Sequence, residues 1–199
     1  MVVNDLYEVR NSIYCYKGTN VLVNKFDVKE TEQLANIERP LVLAKLYDLR
    51  QNTDIGNFDI KHFTKIHEFL FGAIYPFAGS FRTENIAKDN FKFAEWEFIE
   101  DELKRILEEL KKENYLHGLD KAKLANRLAY YMAELNVLHP FRDGNGRTIR
   151  EFCRQLAYKN GFILNLAKID AKEMFDASVQ SVVDVSYLEN LLLKCLEEL

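Results

Sequence analysis

An all-α bundle with one small β-hairpin is the fold that this 199-residue sequence predicts. Three observations carry the prediction. Apolar stripes at helical spacing recur along most of the chain, most clearly in residues 97–114 and 121–138. A single stretch, residues 76–94, mixes Pro76 and Gly79 with short alternating runs and so reads as a hairpin or extended flap. No internal repeat, low-complexity tract or interdomain linker separates these segments, so one domain is expected.

The elements follow in order. Residues 1–29 carry aromatic and β-branched residues around Gly18 and predict an irregular, turn-rich lead-in. ETEQLANIERPLVLAKLYDLRQ, from Glu30, has near-helical spacing broken by Pro40, so either one kinked helix or a break near Arg39 follows. Residues 52–57 form a polar loop with Gly56. Asp59 then caps a helix whose stripe is Ile60, Phe63, Ile66, Phe69 and Leu70. His62 and His67 on that helix are five apart, off the spacing of a helical metal pair, and receive no role. In the flap, Lys88-Asp89-Asn90 is the expected turn. Residues 97–114 form a charged amphipathic helix, which His117-Gly118 ends. The next helix, 121–138, buries Leu124, Leu128, Tyr131, Met132 and Leu135 and delivers His139. A further helix runs to about Asn160. GFILNLAKID is then a short connection, and AKEMFDASVQSVV and SYLENLLLKCLEEL are two closing helices.

Composition excludes several classes. Hydrophobic residues make up 48% and charged residues 29%, ordinary for a globular protein, and the net charge is −4. That balance points to neither nucleic acid nor a membrane surface as partner. No run approaches the ~18 apolar residues of a membrane span, and MVVNDLYEVR is not a secretory signal, so a cytoplasmic protein is expected. Cys15, Cys153 and Cys195 are odd in number and match no zinc spacing; they read as free thiols.

The chemistry concentrates in HPFRDGNGRTIR, residues 139–150. Gly144-Asn145-Gly146 can take backbone angles that a Cβ disfavours, and Asn tolerates the left-handed region. Successive N–H groups in such a turn form an anion-binding nest. RTIREFCRQLAYKN follows without a breaker, so the nest sits at a helix N-terminus, where unsatisfied N–H groups and the positive dipole end favour phosphate. Arg147 and Arg150, at i and i+3, share one helix face and suit a di- or triphosphate. Asp143 is a hard oxygen ligand of the kind that holds Mg²⁺ beside phosphates; alone it would read as an N-cap. His139 is a candidate general base near neutral pH, and apolar Phe141 is a structural anchor pinning the loop to the core. Singly, each residue is better explained as structural. Together, one phosphate-binding geometry accounts for all of them.

The segment resembles the signature of the Fic family, His-x-Phe-x-(Asp/Glu)-Gly-Asn-Gly-Arg-x-x-Arg, and matches it at every defined position. Residues 76–82 resemble the family's Pro-x-Ala-Gly-x-x-Arg run before the flap, and Gly-Thr-Asn-Val-Leu-x-Asn-Lys from Gly18 is similar to a lead-in common in bacterial members. The resemblance implies a Fic-type helical bundle in a single domain 1–199: a lead-in and helix over 1–58, and a core over 59–199 with flap 76–94 and signature loop 139–150. It implies a protein adenylyltransferase, transferring AMP from ATP to a Ser, Thr or Tyr hydroxyl of a target protein, with a toxin-like character. By the same resemblance His139 deprotonates the hydroxyl, Asp143 holds Mg²⁺, and Gly144, Asn145 and Gly146 form the anion hole. Arg147 contacts the phosphates and Arg150 pairs with the γ-phosphate. Asn85, Ile86, Ala87 and Lys88 form a target-docking flap that pairs main chain to main chain.

Other readings within the resemblance are transfer of phosphate or another nucleotide-derived group, or a non-catalytic nucleotide-binding module. The intact Gly-Asn-Gly turn favours AMP. Many family members carry an inhibitory helix with (Ser/Thr)-x-x-x-Glu-(Gly/Asn). Here Ser80 to Asn85 fits the letters but lies in the flap, and Ser186 to Asn190 is one residue short, which turns a helix by about 100°. The resemblance then implies a small separate antitoxin that supplies the glutamate in trans.

Overall fold

A computed structural model describes residues 12–51, 56–88 and 91–199. The opening residues read above for a signal, most of the 52–57 loop and the Asp89-Asn90 turn lie outside the described residues. The chain is all-α, as its sequence predicts. The helices are α1 (Thr31–Gln51), α2 (Ile60–Phe71), α3 (Ile99–Lys112), α4 (Lys121–Leu138), α5 (Asn145–Lys159), α6 (Ala171–Gln180) and α7 (Ser186–Cys195).

α4 is the central helix. It packs against α3, α5 and α7, while α2 lies on α1, α3 and α5. Asp120 caps α4 by accepting from Lys123 N–H at 2.9 Å, and all five residues of the expected stripe are buried. α1 runs through Pro40 as one helix, which decides between the two expected forms. Asp59 caps α2 as expected. The α2 stripe needs correction: Phe69 is 40% exposed, and His67 and Phe71 are buried with Phe63, Ile66 and Leu70. At 100° per residue, Phe69 stands 240° round from Phe63, whereas His67 is one turn above it. Lys45 Nζ covers the outward Phe69 ring at 4.6 Å. The helix expected over 97–114 begins as a 3-10 turn, Trp96–Phe98, and α3 stops at Lys112. Positive φ at Asn114, Tyr115 and Leu116 then turns the chain ahead of His117-Gly118.

The hairpin is shorter than its stretch of sequence. β1 (Ala87–Lys88) pairs antiparallel with β2 (Phe91–Lys92), two residues each. A second sheet was not expected: β3 (Phe162–Leu164) pairs antiparallel with β4 (Leu196–Glu198). The connection after α5 is therefore partly strand, and the last closing helix ends at Cys195. Phe162, Leu164 and Leu196 are buried on one side of this sheet, so pairing lets both segments place apolar side chains on the core that holds α5 and α7. Among the described residues no helix is long and apolar enough to cross a membrane.

Candidate active site

The site forms where α4 ends and α5 begins. His139 is the C-cap of α4 in the left-handed conformation, φ 49° and ψ 61°. That is uncommon without glycine, so the surroundings must hold it. The His139 N–H donates to the Leu135 carbonyl at 3.0 Å, and Arg82 Nε donates to the His139 carbonyl at 2.8 Å. The ring Nδ1 lies 2.9 Å from the Asn136 carbonyl. A carbonyl only accepts, so Nδ1 carries the proton and Nε2 is the basic nitrogen. Phe93, just past β2, stacks on the imidazole with ring centres 3.9 Å apart.

Phe141 is fully buried, parallel to Phe63 at 5.6 Å and to His67 at 3.8 Å. Asn145 corrects an expectation. The left-handed corner belongs to Gly144, at φ 79° and ψ 3°, and Asn145 opens α5. A Cβ on Gly144 would stand 2.4 Å from the Phe71 ring, so that position combines an αL angle with no room for a side chain. The Asn145 amide instead closes the loop inwards. Its Oδ1 accepts from Phe141 N–H and its Nδ2 donates to the Phe141 carbonyl, each at 2.8 Å. That leaves its backbone N–H as what it can offer an anion.

Asp143 is not the N-cap, a position Gly144 takes without a side-chain bond. Asp143 Oδ1 accepts from Gly144 N–H at 2.5 Å and lies 3.8 Å from Arg147 Nη2. Arg147 also forms an ion pair with Glu38 of α1 and lies over the Phe71 ring at 4.5 Å. The other Glu38 oxygen accepts from the Tyr75 hydroxyl. Burial alone would lower the Arg147 pKa, but the Asp143 and Glu38 carboxylates carry it above the ordinary arginine value. Burial, and then the charges of Asp143 and Glu38, push the Tyr75 hydroxyl well above its usual range, so it stays a donor. A Cβ on Gly146 would meet Arg150 Nη1 at 2.9 Å, so glycine there lets that guanidinium lie against the first turn of α5.

The flap reaches the same place. Arg82, almost fully buried, donates to the carbonyls of Glu84 at 2.8 Å, Ala94 at 2.5 Å and Leu138 at 3.3 Å besides that of His139. It thereby joins both ends of the flap to the end of α4. Asn85 clamps the flap base, with Nδ2 on Glu95 Oε2 at 2.7 Å and Oδ1 accepting from Trp96 N–H at 2.9 Å. Ile86 is buried, Ala87 pairs with Lys92, and Lys88 Nζ lies 5.1 Å over the Phe175 ring. Glu84, which fitted the inhibitory letters, is paired with Arg142 at 2.8 Å, and Glu189 accepts from Asn126 at 2.8 Å.

Several members of this site were not found from sequence. Arg82 stood in the quoted Pro-x-Ala-Gly-x-x-Arg run without a role. His67 could have been found from its place one helical turn past Phe63. Its Nδ1 accepts from Gly79 N–H at 2.8 Å and its Nε2 lies 2.9 Å from the Asp143 carbonyl. Burial, assisted by the charge of Arg147 and opposed by the bond to Asp143, lowers its pKa to about 4. Glu38 and Phe93 had no local signal.

The donor set suits a cation that arrives with phosphates. Among the described residues no three His, Cys, Asp or Glu side chains group to cage a metal. A single carboxylate beside an N–H-lined turn is what Mg²⁺ uses when phosphates and water fill its other positions.

The family model described as Fic/DOC family matches residues 57–157, about half of the chain. The chain belongs to the Fic/DOC family. The matched Fic region runs from just before α2 through the flap and signature loop into α5, and leaves Glu38 outside it. Among relatives of this Fic chain, protein adenylyltransferase VbhT of Bartonella schoenbuchensis is 39% identical over 94% of this chain, which spans only 39% of VbhT. The probable protein adenylyltransferase Fic of Escherichia coli is 30% identical, over 93% of this chain and 92% of its own length. BepC of Bartonella tribocorum, solved with bound AMPPNP, superposes with a TM-score of 0.88 at 26% identity, covering 94% of this chain and 97% of that one.

Proposed function

We propose that this chain is a protein adenylyltransferase, moving AMP from ATP to a Ser, Thr or Tyr hydroxyl of a target protein. The main support is the corner between α4 and α5. One loop holds an imidazole with a basic Nε2, a carboxylate, a glycine turn opening a helix, and two arginines on that helix. The names of the relatives and the nucleotide bound to BepC support the same reading.

In this reading His139 Nε2 takes the proton of the incoming hydroxyl as its oxygen attacks the α-phosphorus. The new O–P bond forms, the bond to the bridging oxygen breaks, and pyrophosphate leaves with that electron pair. The Asn136 carbonyl holds Nδ1–H throughout, and Phe93 presents its ring face to the imidazolium. Backbone N–H groups of residues 144–146, with Arg147 and Arg150, hold the phosphates in line. Asp143 would hold Mg²⁺, which would supply positive charge at the phosphoryl oxygens. Residues Asn85, Ile86, Ala87 and Lys88 offer a strand edge to the target segment. The Asn85 and Ile86 side chains are turned to the protein, so docking there is mainly a matter of backbone.

Control by a separate small antitoxin that supplies an inhibitory glutamate belongs to the same proposal. The stretch that fits that motif's letters places its Glu84 on Arg142, and the one that is a residue short places its Glu189 on Asn126. Incubation with ATP labelled on the α-phosphate, Mg²⁺ and a cell lysate tests the activity, with His139→Ala alongside. Labelled protein bands that vanish in the variant, each heavier by one AMP in mass spectrometry, are expected. No labelling by the wild-type protein, or a mass gain of phosphate alone, refutes the reading.

A further inference from the structure

We propose that His67 is a positioning residue that fixes the peptide of Asp143, and through it the carboxylate that holds the cation. The inference rests on the reading of Asp143 given above.

A buried histidine on an apolar helix face is usually only a satisfied core residue. This one differs in what it joins. Both of its ring nitrogens end on irregular backbone. Nδ1 faces the N–H of Gly79, which is held at φ 84° in the turn before the flap, and Nε2 faces the carbonyl of Asp143. An amide N–H only donates and a carbonyl only accepts, so the ring is neutral with its proton on Nε2. The plane cannot swing, because Phe141 stacks parallel to it at 3.8 Å and Phe71 lies 4.8 Å away on a tilted plane.

What the ring holds is the peptide that joins Asp143 to Gly144. The carbonyl of that peptide accepts from His67, and its N–H donates to the Asp143 carboxylate at 2.5 Å. Rotation of this one peptide would carry the bonded carboxylate with it. Gly144, at φ 79° with no Cβ, gives the peptide little resistance of its own. To the bond that the carboxylate makes within the loop, His67 adds a restraint from outside it. A partner that orients a metal ligand in this way typically governs 10–100-fold in metal affinity.

The two ring nitrogens can be tested separately. In His67→Gln the side-chain amide N–H reaches about as far as Nε2 and keeps the Asp143 bond. In His67→Asn the side-chain oxygen sits near the Nδ1 position and keeps only the Gly79 bond. Calorimetric binding of ADP, with and without Mg²⁺, reads the effect without turnover, and thermal unfolding is followed in parallel. The Mg²⁺-dependent gain in ADP affinity is expected to fall at least tenfold in His67→Asn and less than threefold in His67→Gln, while metal-free ADP binding changes less than threefold in both. Should His67→Asn fail to fold, His67→Met, which keeps volume but neither bond, takes its place with the same expectation. Asp143→Ala separates this proposal from the one beneath it. If that variant leaves the Mg²⁺ gain intact, the cation assignment itself fails. If Asp143→Ala removes the gain but His67→Asn or His67→Met retains it, or if His67→Gln loses it tenfold, His67 is core filling and the proposal is overturned.

Discussion

The signature loop and the flap meet across the ring of His139, yet the chain holds them in opposite ways. The loop is tied from every side. Asn145 binds Phe141 twice, His67 binds Asp143, Glu38 binds Arg147, and Phe141 lies in a stack of buried rings. The flap has two strand pairs, an asparagine clamp at its base and the fork of Arg82 at its root. The difference follows from what each would do in the proposed reaction. Phosphoryl chemistry loses rate steeply when reacting groups shift by an ångström, so the loop is over-determined. A strand edge that accepts a foreign backbone needs exposed N–H and C=O groups and few fixed side chains of its own.

The largest expected effect lies where the two regions touch. His139→Ala should cut AMP transfer by about 10²–10⁴-fold, the usual worth of a positioned general base. Its melting temperature should stay close to that of the wild-type protein, because the His139 backbone, not its ring, takes the Arg82 bond. Transfer at the wild-type rate would show that another group accepts the proton.

Arg82→Ala comes next, and it attacks the comparison itself, since Arg82 is the bond between the regions. Four carbonyls would lose a buried donor, and each group left unpaired costs about 1–3 kcal/mol. Water entering the gap will recover part of this, so a loss of about 3 kcal/mol or more in urea unfolding is expected. Arg82→Lys, with one point of donation in place of a fork, should fall between. A loss below about 1 kcal/mol in Arg82→Ala would mean that the flap root is held by something else.

Glu38→Gln weakens the loop from behind. It keeps shape and a hydrogen-bond acceptor but removes the charge that faces Arg147, and a charge-assisted bond is worth about 1.5–3 kcal/mol. Destabilisation of about 1–2 kcal/mol by urea unfolding is expected. An unchanged midpoint would show that Asp143 alone compensates the Arg147 charge.

The same contrast explains what was legible in the sequence. The contiguous candidate cluster was readable: His139, Asp143, Gly144 and the two arginines lie within twelve positions, and helix start, turn and charge are all local signals. α4 was readable over residues 121–138 because its stripe and its Asp120 cap are local too. What holds the loop was not. Glu38 meets Arg147 from 109 positions away, and nothing near Ile37 or Arg39 announces it. β4 was hidden for a related reason. Leu-Glu-Glu continues the helical pattern of α7, and only pairing with Phe162–Leu164 makes it a strand. Asn145 was misread because an Asn-Gly pair fits a left-handed corner in isolation; the Phe71 ring, distant in sequence, is what assigns that corner to Gly144.

The smallest effect is expected in the flap, and it sharpens the comparison most. Lys88 is one of four strand residues there among the described residues, and its ammonium rests on Phe175 of α6. If affinity for the target comes from main-chain pairing, Lys88→Ala should change labelling of a protein target by less than about threefold and stability by no more than about 0.5 kcal/mol. Proline at the same position keeps comparable bulk but removes the N–H and fixes φ, so it should cost far more than alanine if the Lys88 N–H joins the pairing. Initial rates at limiting target concentration, measured for both variants, separate the two contributions. A tenfold fall with alanine and no further loss with proline would mean that the flap reads its target through the lysine side chain. The loop and the flap would then share one principle, fixed side chains, in place of two.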